Sequence, residues 1–494
     1  MKNKRLEIWF IILLAEVLLI GVAYLAPFNA LSWADNTVKF MSLKEMTDFH
    51  QEDPNTVADS LLQQYLADTS DVDTLLNRRN LSKIGPKKKN LYLINPEVEG
   101  STALDPFFYA LQHEKDTGVI RIAHYGDSQL EGDRMSCVMR EEFHEKFGGS
   151  GVGYVPLKDL SPISYTRNSS GNWARYSVFH DKYSNSYYGI SGLVFNFSRH
   201  RIVQQVDDSA AVSLSDSAKP VYSGSYNSAS LAVKLSPRLS YNKVGVLYGR
   251  ASEPTFLDYF NGESGELIRT DTLAPSSQVQ LHKRVLDQPV LKLKLEFRSA
   301  ASPDFYGVYL DALNGVQVDN YAIRGHSGDG LLLIDDEHLA RMIKLLNTKL
   351  IIFQYGANVV PYIRSEKACK SIEDLYYRIF MKFKKAAPDI SILVVSSGDM
   401  ARGGTGGYTS YEWLPKIVEA QKNAALKAHC AFFDLFHMMG GSNSIMVWNA
   451  KKLAVTNGHF SGSGQQIIAS ELVDALMMEY NYYLHKTRKS NNKK

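Results

Sequence analysis

Between residues 306 and 485, short apolar runs alternate with longer amphipathic ones. Val308–Leu310, Lys349–Tyr355, Ile392–Ser396 and Ala431–Leu435 read as strands. Ile334–Leu346, Ile372–Lys385, Tyr411–Ala428 and Gly464–Tyr483 carry helical spacing. A chain that alternates in this way buries its strands as a parallel sheet with helices on both faces. Functional groups of such sheets collect beyond the carboxyl ends of the strands. One more strand of the same kind lies upstream. The run Val119, Ile120, Ile122, Ala123 stops abruptly at Gly126-Asp127-Ser128, and Met135, Val138, Met139, Phe143 and Phe147 then recur at helical spacing. A serine on a strand-to-helix turn stands where free backbone N–H groups favour a developing negative charge. The same three residues also suit an ordinary turn with a serine N-cap.

The two α/β stretches are separated by about 150 residues of different character. From Tyr154 to Phe305 helical periodicity vanishes, and Leu291–Arg298 alternates four apolar with four polar residues. Ser230–Leu235 and Val244–Leu247 are similar. Several short strands with turn signals predict an inserted all-β sandwich over 154–305. Gly148-Gly-Ser-Gly-Val-Gly153 follows a helix and lacks a Lys-Ser/Thr ending, so it reads as a helix-terminating turn and not a phosphate loop. Twenty-eight tyrosines against five tryptophans suit glycan-facing surfaces and cores alike.

The start of the chain predicts its address. Lys2, Lys4 and Arg5 precede the apolar run Ile8–Ala26, interrupted by Glu16. This predicts an N-terminal transmembrane signal anchor over 1–30, with a periplasmic or other extracytoplasmic body. Cleavage near Ala30 or Ala34, with secretion, is the alternative. Residues 31–104 read as a membrane-proximal linker region, with helical spacing at Leu43–Phe49 and Val57–Ala67 and a basic turn-rich stretch at 80–90. Phe107–His113 reads as a short helix, and 486–494 as a frayed tail. A net charge of +3 gives no nucleic-acid footprint. Cys137, Cys369 and Cys430 are too dispersed for a disulfide framework or a metal cluster, and no cofactor is indicated.

Polar residues gather at the predicted strand ends. Gly356-Ala357-Asn358 follows the strand at Lys349, and Arg324-Gly325-His326 precedes the Ile334 helix. Thr456-Asn457-Gly458-His459-Phe460-Ser461 precedes the last helix. Together with Ser128 these supply a nucleophile, oxyanion donors and a general base for acyl transfer. Gln129, Glu131, Asp133 and Arg134 read as a solvated first helical turn, and His124 as a core histidine.

Taken in order, Gly126-Asp127-Ser128, Gly325, Gly356-Ala357-Asn358 and His459-Phe460-Ser461 resemble the blocks of the SGNH (GDSL-type) hydrolase superfamily. The interrupting sandwich is similar to the carbohydrate-binding-module-like domain in its peptidoglycan and polysaccharide O-acetylesterases. The resemblance implies a three-layer, flavodoxin-like α/β fold. It implies Ser128 as nucleophile and His459 as base, with Ser128, Gly325 and Asn358 forming the oxyanion hole. Asp127, Gly356, Thr456 and Asn457 then support the site. It implies a carboxylic-ester hydrolase acting on an O-acylated glycan. The same residues also serve a polysaccharide O-acetyltransferase paired with a membrane-bound acyl donor, or a degenerate glycan-binding protein. One departure is clear: the family's Asp three residues before the histidine is Thr456 here. The groups left to orient His459 are a backbone carbonyl, Asn457, or a distant acid such as Asp434 or Asp399.

Overall fold

The computed structural model describes residues 30–33, 36–39, 90–159, 162–197, 201–202, 226–236, 239–288, 290–404 and 407–491. The apolar run at 8–26, the expected helices at 43–49 and 57–67 and the basic stretch up to residue 89 lie outside the described residues. No helix among the described residues is long and apolar enough to cross a membrane. The chain divides into two compact units, 1–77 and 78–494. In the first, Ala30–Trp33 and Asn36–Lys39 pair as an antiparallel ribbon. The second unit holds all the other described residues.

Its central sheet comprises β1 (Leu93–Ile94), β2 (Val119–Gly126), β3 (Gly315–Ala322), β4 (Thr348–Gln354), β5 (Ser391–Val395) and β6 (Ala431–Phe433). The spatial order is β3-β2-β4-β5-β6-β1. The five strands from β2 to β6 run parallel, and the two-residue β1 closes the edge antiparallel to β6. Counted along the parallel strands this is the order 2-1-3-4-5, whose switch point lies between β2 and β4. Helices α1 (Asp105–His113), α2 (Ser136–Phe147), α3 (Asp336–Leu346), α4 (Glu366–Ala386), α5 (Leu414–Lys427) and α6 (Gly462–Asn491) cover the sheet, with two short helices at Leu435–Met439 and Ser444–Ala450.

Strand alternation sorts the side chains into two cores. Ile120, Ile122, Leu350, Ile352, Leu393 and Val395 face a core shared with α1, α2 and α6. Ala123, Tyr125, Ile351, Phe353, Ile392 and Val394 face the other, with α3, α4 and α5. That second core runs on without a break into the β region.

The β region holds two antiparallel sheets. One follows the order Gln280–Val285, Lys243–Gly249, Asp304–Asp311, Leu193–Phe197, Trp173–Ser177, with Gly153–Val155 added to Asp304–Asp311. The other follows Arg201–Ile202, Tyr226–Leu235, Lys292–Ser299, Thr255–Asn261, Leu267–Leu273, with Tyr165–Ser169 added to Tyr226–Leu235. The alternating stretch behaves as its pattern predicts, with Leu293, Leu295 and Phe297 buried between polar neighbours.

One strand belongs elsewhere than the sequence suggests. Val308–Leu310 lies in the middle of a sandwich strand that is buried along its whole length. Burial on both faces removes the alternation that distinguishes a sandwich strand from a parallel one. The α/β strand is β3, which carries Gln317, Asp319 and Asn320 at buried or half-buried positions. Their partners hide that strand from a hydropathy reading: Asp319 takes Arg121 of β2 at 3.0 Å and the Tyr154 N–H at 2.9 Å, and Asn320 donates to Leu130 O at 2.8 Å.

Candidate active site

Strand β2 ends at Gly126 because the backbone of β4 passes there. A Cβ at Gly126 would lie 2.9 Å from Gln354 O and 2.5 Å from Leu130 Cδ1. Ser128 therefore emerges at the switch point of the sheet, beside the turn that follows β4. The helix does not start at once. A short 3-10 turn, Glu131–Asp133, intervenes before α2 begins at Ser136, so Ser128 faces no helix N-terminus directly.

Ser128 Oγ lies 3.0 Å from His459 Nε2 across 331 residues of sequence. The other ring nitrogen, Nδ1, lies 3.0 Å from Asn457 Oδ1. The backbone N–H of His459 donates to that same Oδ1 at 3.2 Å, which marks the atom as an acceptor. Nδ1 must then carry the proton, and Nε2 presents a lone pair to the serine hydroxyl. This is the tautomer a general base needs. Asn457 thus fills the place where the resemblance expects a carboxylate. The acids considered from sequence are elsewhere: Asp434 holds His437 at 2.8 Å, and Asp399 accepts from Ser410 at 2.6 Å and from the Ile445 N–H at 2.9 Å. Thr456 contributes its carbonyl, which accepts from the Ala401 N–H at 2.8 Å and fixes the loop on the β5 side.

Gln129, read from sequence as solvated, is buried and joins the two loops. Its Nε2 donates to Gly458 O at 2.7 Å, its Oε1 accepts from Phe460 N, and its carbonyl accepts from Gln465 Nε2 at 3.1 Å. Asp133 is also buried, clasped by Arg140 at 2.8 and 2.9 Å. A polar residue beside a catalytic turn carries no mark in sequence that separates a buried tether from a solvated side chain.

Among the described residues, the backbone N–H groups of Ser128 and Gly325 have no hydrogen-bond partner. Gly325 sits at φ +75°, in the left-handed region. Asn358 differs from its expected role. Its amide donates to Asp127 Oδ2 at 3.0 Å and to His326 O at 3.1 Å, so both N–H groups are engaged. It ties the serine turn to the Gly325 loop. Asp127 accepts in addition from the Gln129 N–H at 2.9 Å, and burial pushes its carboxyl up to about 7. His124 is buried between Ser136 Oγ and Gln354 Oε1, and burial lowers it to about 4.

His459 stays below the ordinary histidine value, first because it is desolvated and then because the Arg134 and Arg324 guanidiniums disfavour a second positive charge. Behind the serine turn, Asp127, Gln129, Tyr355, Ser397 and Phe460 line a cavity of about 20 Å³. That is room for about one water molecule. A substrate therefore approaches Ser128 and the exposed edge of His459 from the solvent side.

No protein-family model and no curated protein matches the sequence. Solved structures do. A peptidoglycan O-acetylesterase superposes with a TM-score of 0.59 at 18% identity, over 78% of this chain and 99% of that one. The chain shares the fold of that esterase. A GDSL-like lipase from Parabacteroides merdae aligns over 33% of this chain and 74% of its own at 12% identity, with a TM-score of 0.27. A family two carbohydrate esterase from Cellvibrio japonicus aligns over 65% and 99% at 10% identity, with a TM-score of 0.23. The superposition with the peptidoglycan O-acetylesterase spans nearly all of that protein and more than three quarters of this chain, so it takes in the parallel sheet and the β region together.

Proposed function

We propose that this protein is a serine carboxylic-ester hydrolase that removes O-acetyl groups from a glycan. The observation that carries the reading is the Ser128–His459–Asn457 relay, with the base in its competent tautomer. Ser128 Oγ attacks the acyl carbonyl while His459 Nε2 takes its proton. The N–H groups of Ser128 and Gly325 receive the oxyanion, each such donor being worth about a hundred- to a thousandfold in turnover. His459 then returns the proton to the departing sugar hydroxyl, leaving an acetyl-enzyme. Water, deprotonated by the same nitrogen, releases acetate and restores Ser128.

Three features support a polymeric glycan as substrate. The serine lies at an open rim and not in an enclosed pocket. Tyr362 and Tyr408, 79% and 59% exposed, stand in the connections that follow β4 and β5, Tyr362 on a 3-10 turn and Tyr408 in a short hairpin. A groove of about 280 Å³ on the second sandwich sheet, lined by Asn168, Ser170, Lys292 and Lys294 among others, offers amide, hydroxyl and ammonium groups. The basic start and apolar run at 8–26 support export with that run as the anchor, which fractionation of cells expressing the full chain would test.

The full protein should hydrolyse p-nitrophenyl acetate and release acetate from an acetylated glycan. Ser128→Ala should lower kcat by at least about a thousandfold. Wild-type turnover in that variant would remove Ser128 from the mechanism.

A further inference from the structure

Two arginines stand at the rim of the candidate site, each with N–H donors to spare, and Arg324 is the more exposed of the two. Arg324 immediately precedes Gly325, and its side chain is 66% exposed. Its Nε and Nη2 donate to a single oxygen of Glu131, Oε2, at 3.0 and 2.7 Å. A guanidinium has five N–H donors, so Nη1 and the second N–H of Nη2 are left over. Arg134 approaches from the other side. Its Nε donates to Glu131 O at 2.9 Å and its Nη2 to Ser128 O at 3.4 Å. Next to the nucleophile the Glu131 carboxylate is bonded to Arg324 and acts on Arg134 only through its charge. Of the acids nearby, Asp133 is held by Arg140 at 2.8 Å and Asp127 is buried in the turn. Both arginines bear on His459, whose proton affinity they lower.

This arrangement works against the simplest esterase. The positive charge disfavours the imidazolium that forms in the transition state, and an exposed ion pair such as Arg324–Glu131 adds only about 0–1 kcal/mol of stability. A bound carboxylate would engage the free edge of Arg324 in a forked pair and would offset the excess charge beside His459.

We propose that Arg324 is a specificity-determining residue that anchors a carboxylate carried by the substrate, so that the preferred substrate is an O-acetylated acidic glycan. This rests on the hydrolase reading above and names its substrate class. The sugar unit or its neighbour carries the carboxylate, Arg324 holds it, and the acetyl ester is thereby set against Ser128.

The test compares O-acetylated polyuronate, acetylxylan and p-nitrophenyl acetate on the full-length protein, wild type and Arg324→Gln. Arg324→Gln should raise KM for the polyuronate by at least about tenfold, since the fork it removes comprises two charge-assisted hydrogen bonds. It should not lower kcat/KM for the two other substrates, since it removes a charge that disfavours the imidazolium. Arg324→Lys should restore part of the loss, since it returns the charge without the fork. Added salt should raise the wild-type KM for polyuronate more steeply than that of Arg324→Gln. A uniform fall on all three substrates would assign Arg324 to positioning the Gly325 loop, and no change on any would make it a surface residue; either result overturns the proposal. Binding of de-esterified polyuronate to Ser128→Ala, with and without Arg324→Gln, reads the anchor without turnover. If wild type hydrolyses nothing, the hydrolase reading fails, while equal binding by these two proteins would overturn the anchor separately.

Discussion

Asn457 is the residue on which the chemistry of the site turns. It orients His459 as a carboxylate would, but it brings no negative charge to balance the imidazolium. His459 must be neutral to accept the serine proton. Its pKa lies below the usual 6.5, so activity should hold at pH 6.5 and fall only at lower pH, as His459 becomes protonated. Asn457→Asp adds an opposite charge against Nδ1 and favours the protonated ring. The acid limb of kcat/KM should then move to higher pH by about one unit. A pH–rate profile on p-nitrophenyl acetate for both proteins checks this. An unshifted limb in Asn457→Asp would mean that residue 457 does not govern the base.

At the scale of elements, the site is held by the turns that leave β2 and β4. Gly356 adopts φ +129°, and a Cβ there would lie 2.8 Å from Gln421 Nε2 and 3.1 Å from Ser397 Cβ. Gln421 is not free to move, because it donates to Tyr355 O at 2.7 Å and accepts from the Ser397 N–H at 2.9 Å. Gly356→Ala should therefore destabilise the fold by about 1–3 kcal/mol. It should also displace Asn358, which ties Asp127 to the Gly325 loop. Thermal unfolding together with kcat would show both effects. A lowered Tm with unchanged kcat would separate the turn from the site.

For the molecule as a whole, the sandwich is part of the body that carries the site. Arg121 of β2 lies between Asp319 of β3 and Asp311, the last residue of a sandwich strand, and all three are buried. One core runs from Tyr125 and Phe353 through Tyr154 and Tyr309 to Trp173 and Phe297. Asp319→Ala leaves Arg121 with one acid and strips the Tyr154 N–H of its partner, at a cost of about 3–5 kcal/mol. Denaturant unfolding should show that loss as a lower midpoint. Excising residues 154–312 should give an insoluble protein, because Tyr321, Ile323 and Leu331 would lose the cover they share with that core.

The strand–helix alternation of residues 306–485 determined a parallel sheet from the sequence alone, because only that arrangement buries such runs on both faces. The glycine, serine, asparagine and histidine blocks, read against that sheet, placed Ser128 and His459 at one edge of it. The alternation at Leu293, Leu295 and Phe297 likewise determined a sandwich strand. Tertiary structure decided the rest. The strand at 304–311 and β3 exchanged places with the hydropathy reading, since a fully buried apolar run has no side to declare and Gln317 and Asp319 can be buried only once paired. The partner of His459 could not be read from a spacing that lacked its carboxylate; the loop that folds Asn457 Oδ1 onto both the ring and its backbone N–H decided it. Gln129, Asn358 and Arg324 acquired their roles in the same way. A polar side chain's partner is a fact of distance in space, and residues hundreds of positions apart meet only after the sheet has brought its edges together.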